Sequence, residues 1–250
     1  MMKVIQTIIY YLVKVIIKVR YKLKIKGLSS LTIKSSSSGT LFLANHVALV
    51  DPIVLEYVLW KKFKPCPVAV DYLFKDKFLY FLLSKVKAIS VPSFSNLSEK
   101  STIQKFNKTY DQIIKNLYSG ENILMYPSGQ LTSDGKEHIR GQSLTFKIIQ
   151  QIPDIQVVLI RTEGFWGSSF SKYLTGKTPS LKKTFSKALR VIMYNFCFFV
   201  PKRNINIYIE KCENKDLFKL DKASLNCFLE DWFNKTSQPQ KDVLSLVPYK

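Results

Sequence analysis

The sequence predicts a single α/β domain: a mixed β-sheet flanked by helices, preceded by an N-terminal amphipathic helix. Three observations predict it. Short apolar runs at Leu41 to Ala44, Val68 to Val70, Ile89 to Val91, Ile123 to Tyr126 and Val157 to Arg161 alternate with helical stretches, as strands do when helices lie between them. A chain of 250 residues that is 46% hydrophobic is long enough for one sizeable core, and no break in composition marks a second. Near residue 19 the hydrophobic period changes from helical to alternating.

Val4/Ile5, Ile8/Ile9, Leu12, Val15/Ile16 and Val19 recur at helical spacing, with Lys14, Lys18 and Lys22 on another face. Residues 1–18 are therefore read as a basic amphipathic helix suited to a membrane interface. From Val19 the pattern alternates, Val19, Tyr21, Leu23 and Ile25 against Arg20, Lys22, Lys24 and Lys26, a strand that stops at Gly27. Ser35 to Gly39 reads as a loop. Asp51-Pro52 opens a helix towards Trp60, with Asp as N-cap and Pro at the first helical position. Phe185, Leu189, Ile192 and Phe196 form a late helical stripe, more in keeping with core packing than with a membrane surface, and Ile205, Ile207 and Ile209 a late strand. Residues 19–235 make one folded domain and 236–250 a C-terminal tail.

Against 18 Asp and Glu stand 38 Lys and Arg, a net charge of +20 that favours anionic partners. No acid precedes Asp51, and none lies between Glu163 and Glu210. Both stretches set lysines beside long apolar runs, the composition of a membrane-surface segment. The expected partner is thus an anionic membrane surface. A nucleic-acid-binding protein is a rival that charge alone raises, and no nucleic-acid module signature supports it. The run from Val4 to Ile17 is interrupted by Gln6 and Lys14, has no small-residue cleavage site, and is shorter than the ~20 residues of a spanning helix. A peripheral or monotopic protein on the cytoplasmic face is expected. Cys66, Cys197, Cys212 and Cys227 have neither paired metal spacing nor a dense disulfide framework, which suggests a reduced compartment and no metal.

Asn45-His46-Val47-Ala48-Leu49-Val50-Asp51 sets a His just after a strand and a carboxylate at the start of the next helix. A turn of that length lets the carboxylate meet one imidazole nitrogen and leaves the other facing a cleft, so the acid fixes the tautomer and balances an imidazolium. There is no G-x-S-x-G nucleophile motif. A base without a protein nucleophile suits direct attack by an acceptor hydroxyl on a thioester. The plain alternative is that Asp51 only caps its helix and His46 is an ordinary loop histidine. In α/β sheets ligands bind beyond the carboxyl ends of strands, where Asn45-His46 and Pro127-Ser128-Gly129 fall.

Asn-His-x4-Asp after an apolar strand resembles the first motif of the glycerolipid acyltransferase family, to which lysophosphatidate acyltransferases belong. Tyr126-Pro127-Ser128-Gly129-Gln130-Leu131 stands where that family has Phe-Pro-Glu-Gly-Thr-Arg, and Val157 to Thr162 where it has a late apolar strand. Gly164 to Ser171, Phe198 to Arg203, Leu225-Asn226 and Leu229 to Asn234 resemble the branch fused to acyl-carrier-protein synthetases. The match runs in order from about Val19 to Asn234. It implies transfer of a fatty acyl group from an acyl carrier protein or coenzyme A thioester to the free hydroxyl of a lysophospholipid such as 1-acylglycerol 3-phosphate, with no further cofactor and no metal. It implies His46 as general base and Asp51 as its partner, with Asn45, Tyr126, Pro127, Ser128, Gly129 and Gln130 along the substrate or oxyanion.

Two departures stand out. The family's Glu in the third motif is Ser128 here, and its Thr-Arg is Gln130-Leu131. The second motif, which in the family ends in a phosphate-holding Arg, is Ile89-Ser90-Val91-Pro92-Ser93-Phe94-Ser95-Asn96 without one. A phosphate in a cleft wants a forked cationic donor, so Arg140 and Arg161 are the candidates, each with a structural ion pair as its alternative. A non-catalytic lipid-binding relative is the remaining rival, and the intact Asn45-His46-x4-Asp51 unit speaks against it.

Overall fold

Alternation in the N-terminal lysine-rich segment and the unbroken apolar runs further on place seven strands in one sheet. The computed structural model describes residues 2–32, 38–93, 100–173, 175–194, 202–213 and 216–235. Most of the Ser35 to Gly39 loop, Phe94 to Asn96, Phe196 to Pro201 with Cys197, and the tail 236–250 lie outside the described residues. The strands are β1 (Tyr21–Lys26), β2 (Thr40–Ala44), β3 (Cys66–Val70), β4 (Ile89–Val91), β5 (Ile123–Met125), β6 (Gln156–Glu163) and β7 (Arg203–Lys211), in spatial order β1-β7-β6-β2-β5-β3-β4. Every pair is parallel except β6–β7, so the sheet is mixed, as expected. All five residues of β2 are buried, because helices cover both faces of this central strand. At the edge, β1 keeps Lys22, Lys24 and Lys26 in an otherwise open strand, which discourages further pairing.

The helices are α1 (Met2–Arg20), α2 (Asp51–Phe63), α3 (Lys77–Lys85), α4 (Lys100–Tyr118), α5 (Leu144–Gln151), α6 (Leu181–Tyr194) and α7 (Lys222–Phe233). Phe42, Ala44, Leu124, Val158 and Ile160 pack on one sheet face with Val54, Leu55, Val58 and Leu59 of α2 and Ile17 of α1. Leu41, Leu43, Ile123, Val157 and Leu159 pack on the other with Ile113 of α4, Ile148 of α5 and Leu229 and Trp232 of α7.

Two sequence expectations need revision. Val19 and Arg20 belong to α1, so the strand begins at Tyr21. Asp51 is not an N-cap: it is the first residue of α2, the cap position is Val50, and no side chain bonds there. The carboxylate turns backwards instead, onto the loop that precedes it.

Helix α2 also carries a buried acid. Both carboxyl oxygens of Glu56 are buried with no hydrogen-bond partner among the described residues. Burial pushes its pKa well above the usual carboxylate range. The folded chain therefore holds this proton more tightly than the unfolded chain, and stability falls as pH rises through the ordinary Glu range and beyond. Glu56→Leu should stabilise the neutral-pH protein by about 1–3 kcal/mol, or roughly 2–4 °C per kcal/mol in melting temperature at this size. Thermal melts in weakly acidic and neutral buffer check this. Identical pH dependence in variant and wild type would show that the carboxyl is solvated after all.

Candidate active site

Strands β2 and β5 are parallel neighbours, so the segments leaving them emerge side by side at the carboxyl edge of the sheet. From β2 comes the loop 45–50. Each backbone N–H from residue 45 to 49 has an acceptor. Asn45 N–H donates to the Ile160 carbonyl at 3.3 Å and Leu49 N–H to the Phe170 carbonyl at 3.0 Å. Between them, Val47 and Ala48 N–H both donate to Asp51 Oδ2, at 2.6 and 2.8 Å. His46 N–H donates to Glu137 Oε2 at 3.1 Å. This complete pairing fixes the backbone of His46, and with it the direction of the ring.

The His46 side chain is 16% exposed, and its Nδ1 lies 3.5 Å from Asp51 Oδ2, whose side chain is fully buried. The ring packs against Tyr126 with centroids 4.5 Å apart and planes tilted by 34°. Burial raises the Asp51 pKa, opposed by His46 and by the Ala48 and Val47 N–H groups. The positive end of α2 favours the same charge. An imidazole with one nitrogen buried against a carboxylate is arranged to accept a proton at the other.

From β5 comes the turn 126–130. Tyr126, Pro127 and Ser128 are buried, while Gly129 and Gln130 are exposed. Gly129 closes the turn onto the Tyr126 carbonyl at 3.0 Å with φ +65°, a conformation that glycine adopts without strain. The Ser128 hydroxyl donates to the Gln130 carbonyl at 3.2 Å. The Tyr126 hydroxyl is buried with no partner among the described residues, and burial puts its pKa well above normal.

Two residues named from the sequence do other work. Asn45 does not face a substrate with its amide. Its Nδ2 donates to the Thr162 carbonyl at 3.0 Å, and its Oδ1 accepts from Thr162 N–H at 2.8 Å and from the Thr162 hydroxyl at 3.0 Å. It ties the loop to β6. Arg161 points to the face opposite α2: Nε donates to Glu163 at 3.1 Å, an Nη donates to the Trp232 carbonyl at 3.1 Å, and the guanidinium lies over the Tyr208 and Trp232 rings. That is a packed structural cation, so the expectation that it holds a phosphate is withdrawn. His138 pairs with Asp134 at 2.6 Å in an exposed turn. Arg140 has an exposed side chain on a left-handed backbone, φ +57°.

The sequence reading missed Glu137. It is 2% exposed and sits between the two loops. Burial lifts its carboxyl to about 7, opposed first by the Ser128 hydroxyl and then by His46. Among the described residues no group of His, Cys, Asp and Glu could hold a metal ion. An open groove of about 620 Å³ beside Lys87, Lys108 and Lys115 lies at the far, amino end of β4 and brings none of these groups together.

At the carboxyl edge of the α/β sheet a partly exposed imidazole thus faces a fully buried carboxylate. The family model for Acyltransferase matches residues 22–161, more than half of the chain, and the chain belongs to that family. Its fold is similar to that of the 1-acyl-sn-glycerophosphate (LPA) acyltransferase PlsC from Thermotoga maritima, with a TM-score of 0.52 and 12% identity over 95% of this chain and 83% of that one. No curated protein matches the sequence.

Proposed function

We propose that this acyltransferase moves a fatty acyl group from a thioester donor, acyl carrier protein or coenzyme A, to the free hydroxyl of a lysophospholipid such as 1-acylglycerol 3-phosphate. The observation that carries it is the His46–Asp51 pair on a loop whose every N–H from 45 to 49 is held. His46 takes the acceptor proton at Nε2, and the alkoxide oxygen attacks the thioester carbonyl. The tetrahedral adduct collapses to an ester, and the departing sulfur takes the proton back from the imidazolium. Asp51 balances that imidazolium. Ser128 and Gly129 line the reacting end, and Arg140 is the arginine left for the acceptor phosphate. The resemblance of Gly164 to Ser171 and Leu229 to Asn234 to the synthetase-fused branch supports a carrier-protein donor. The test is lipid-product mass analysis after incubating the full chain with either thioester and mixed lysophospholipids on anionic vesicles. A new diacyl lipid, lost with His46→Ala, supports the proposal; no product from any pair would leave a lipid-binding protein.

The same reading places the enzyme on the cytoplasmic face of a membrane, as a peripheral or monotopic protein. No described helix is long and apolar enough to cross one. One face of α1 packs inward through Ile17 and Val13, and Tyr10 stacks on Tyr57 at 5.3 Å. Its other face leaves Val4, Ile8, Leu12 and Val15 between 54% and 61% exposed. Deleting residues 1–18 would therefore strip the core as well, and the informative variant replaces only Val4, Ile8, Leu12 and Val15 with Ser. Each fully buried aliphatic side chain contributes about 1.5–3 kcal/mol, so affinity for anionic vesicles should fall at least ~10-fold. Turnover of a water-soluble acceptor analogue should persist. Unchanged vesicle binding would move the membrane contact off this helix.

A further inference from the structure

The family motif has a glutamate where this chain has Ser128, yet a carboxylate is present at the site. Glu137 reaches it from the irregular segment between β5 and α5. Its Oε2 accepts His46 N–H at 3.1 Å, and its Oε1 is buried with no hydrogen-bond partner among the described residues. With Asp51 taking Val47 and Ala48 N–H, three successive loop amides end on two buried acids.

The backbone that carries Glu137 is held by three polar side chains one turn apart on α7 and its C-terminal residue. Asn234 pairs both ways with Glu137: Glu137 N–H donates to its Oδ1 at 2.9 Å, and its Nδ2 donates to the Glu137 carbonyl at 3.0 Å. Glu230 accepts from Ile139 and Arg140 N–H at 2.5 and 3.1 Å. Asn226 donates to the Arg140 and Gln142 carbonyls at 2.9 and 3.0 Å. Residues 226, 230 and 234 thus form a ladder against the segment that delivers the acid.

We propose that Glu137 is a positioning residue for His46, that it supplies from position 137 the carboxylate that position 128 lacks, and that the Asn226–Glu230–Asn234 ladder holds it there. The inference rests on the acyl-transfer reading above. Glu137 orients the loop through the His46 amide, and its charge favours the imidazolium that forms as the acceptor loses its proton. Because the Ser128 side chain lies near enough to favour the ionised Glu137 carboxyl, a longer acid at 128 reaches the same spot once residue 137 is cut back.

The test is kinetics and thermal melting of the full chain as wild type, Glu137→Gln, Glu137→Ala, Ser128→Glu and the Ser128→Glu/Glu137→Ala double variant. Glu137→Gln keeps the shape and an acceptor but not the charge, and kcat should fall ~10-fold with KM for both substrates within about twofold. Glu137→Ala should fall further, and the double variant should recover at least ~5-fold over it. Ser128→Glu alone crowds two buried acids together and should lower the melting temperature without raising the rate. If Glu137→Ala does not fold, a folded and active double variant is itself the rescue. Full activity in Glu137→Gln, or no recovery in the double variant, overturns the proposal. Failure of the acyl-transfer reading is distinct: the wild type makes no ester, or His46→Ala is as active as the wild type.

Discussion

Replacing His46 with alanine should lower acyl transfer by about 10²- to 10⁴-fold while leaving the fold in place. The structural reasons for the second half are specific. The hydrogen bond from residue 46 to Glu137 is made by the backbone N–H, which alanine keeps. Asp51 retains its bonds to Val47 and Ala48 N–H, so the loop stays anchored at both ends. What is lost is a partly exposed ring packed at a tilt against Tyr126, worth on the order of 1 kcal/mol of packing. Melting temperature and far-UV circular dichroism check the fold, and single-turnover acyl transfer checks the chemistry. A variant that keeps more than half of the wild-type rate with an intact fold would remove His46 as the base. A rate lost together with the fold would make the ring a structural element.

Much of the fold is legible in the sequence because its signals are local. Strand β2 reads as an unbroken apolar run because helices bury both of its faces, and β1 reads as alternating because one face is open. The pairing of His46 with Asp51 is legible too, since only four residues of loop lie between them. Non-local geometry is where reading fails. Arg161 sits at the right end of β6, but strand parity turns it to the face of Leu159 and Trp232, away from α2. The parity is visible in the sequence; which face belongs to the site is not. Asn45 looks like part of the chemical motif, yet Thr162, on a strand far along the chain, takes its amide. Glu137 has no periodicity around it. Its place is set by Asn234, nearly a hundred residues later, and no spacing rule connects them. Helix α1 shows its amphipathic pattern plainly, but its two apolar flanks, one packed and one open, separate only when α2 is in place.

Asp51→Asn should abolish most activity, about 10³- to 10⁴-fold, in a protein at least as stable as the wild type. Both halves follow from one carboxylate. Asp51 Oδ2 accepts from Val47 and Ala48 N–H, and an asparagine carbonyl can accept from both in the same way, so the loop keeps its anchor. The second oxygen becomes an amide that donates. The oxygen that keeps these amides is also the one 3.5 Å from His46 Nδ1, so asparagine faces that nitrogen with a neutral carbonyl, which holds the Nδ1–H tautomer less firmly than a carboxylate does. The charge that would balance an imidazolium is gone as well. On the stability side, burial raises the pKa of Asp51, so the folded wild type holds its proton more tightly than the unfolded chain does. Wild-type stability contributed by this group is therefore greatest below the unfolded carboxylate pKa and declines as pH rises towards the folded one. Asparagine has no such dependence, and the gap in melting temperature between variant and wild type should widen in the variant's favour as pH rises through and above the ordinary carboxylate range. Rate measurements and melts over that range read both effects on one preparation. An Asp51→Asn protein with more than a tenth of wild-type activity would reduce Asp51 to an anchor for the loop amides. A protein that is inactive because it has unfolded would show that the carboxylate's charge holds the loop together.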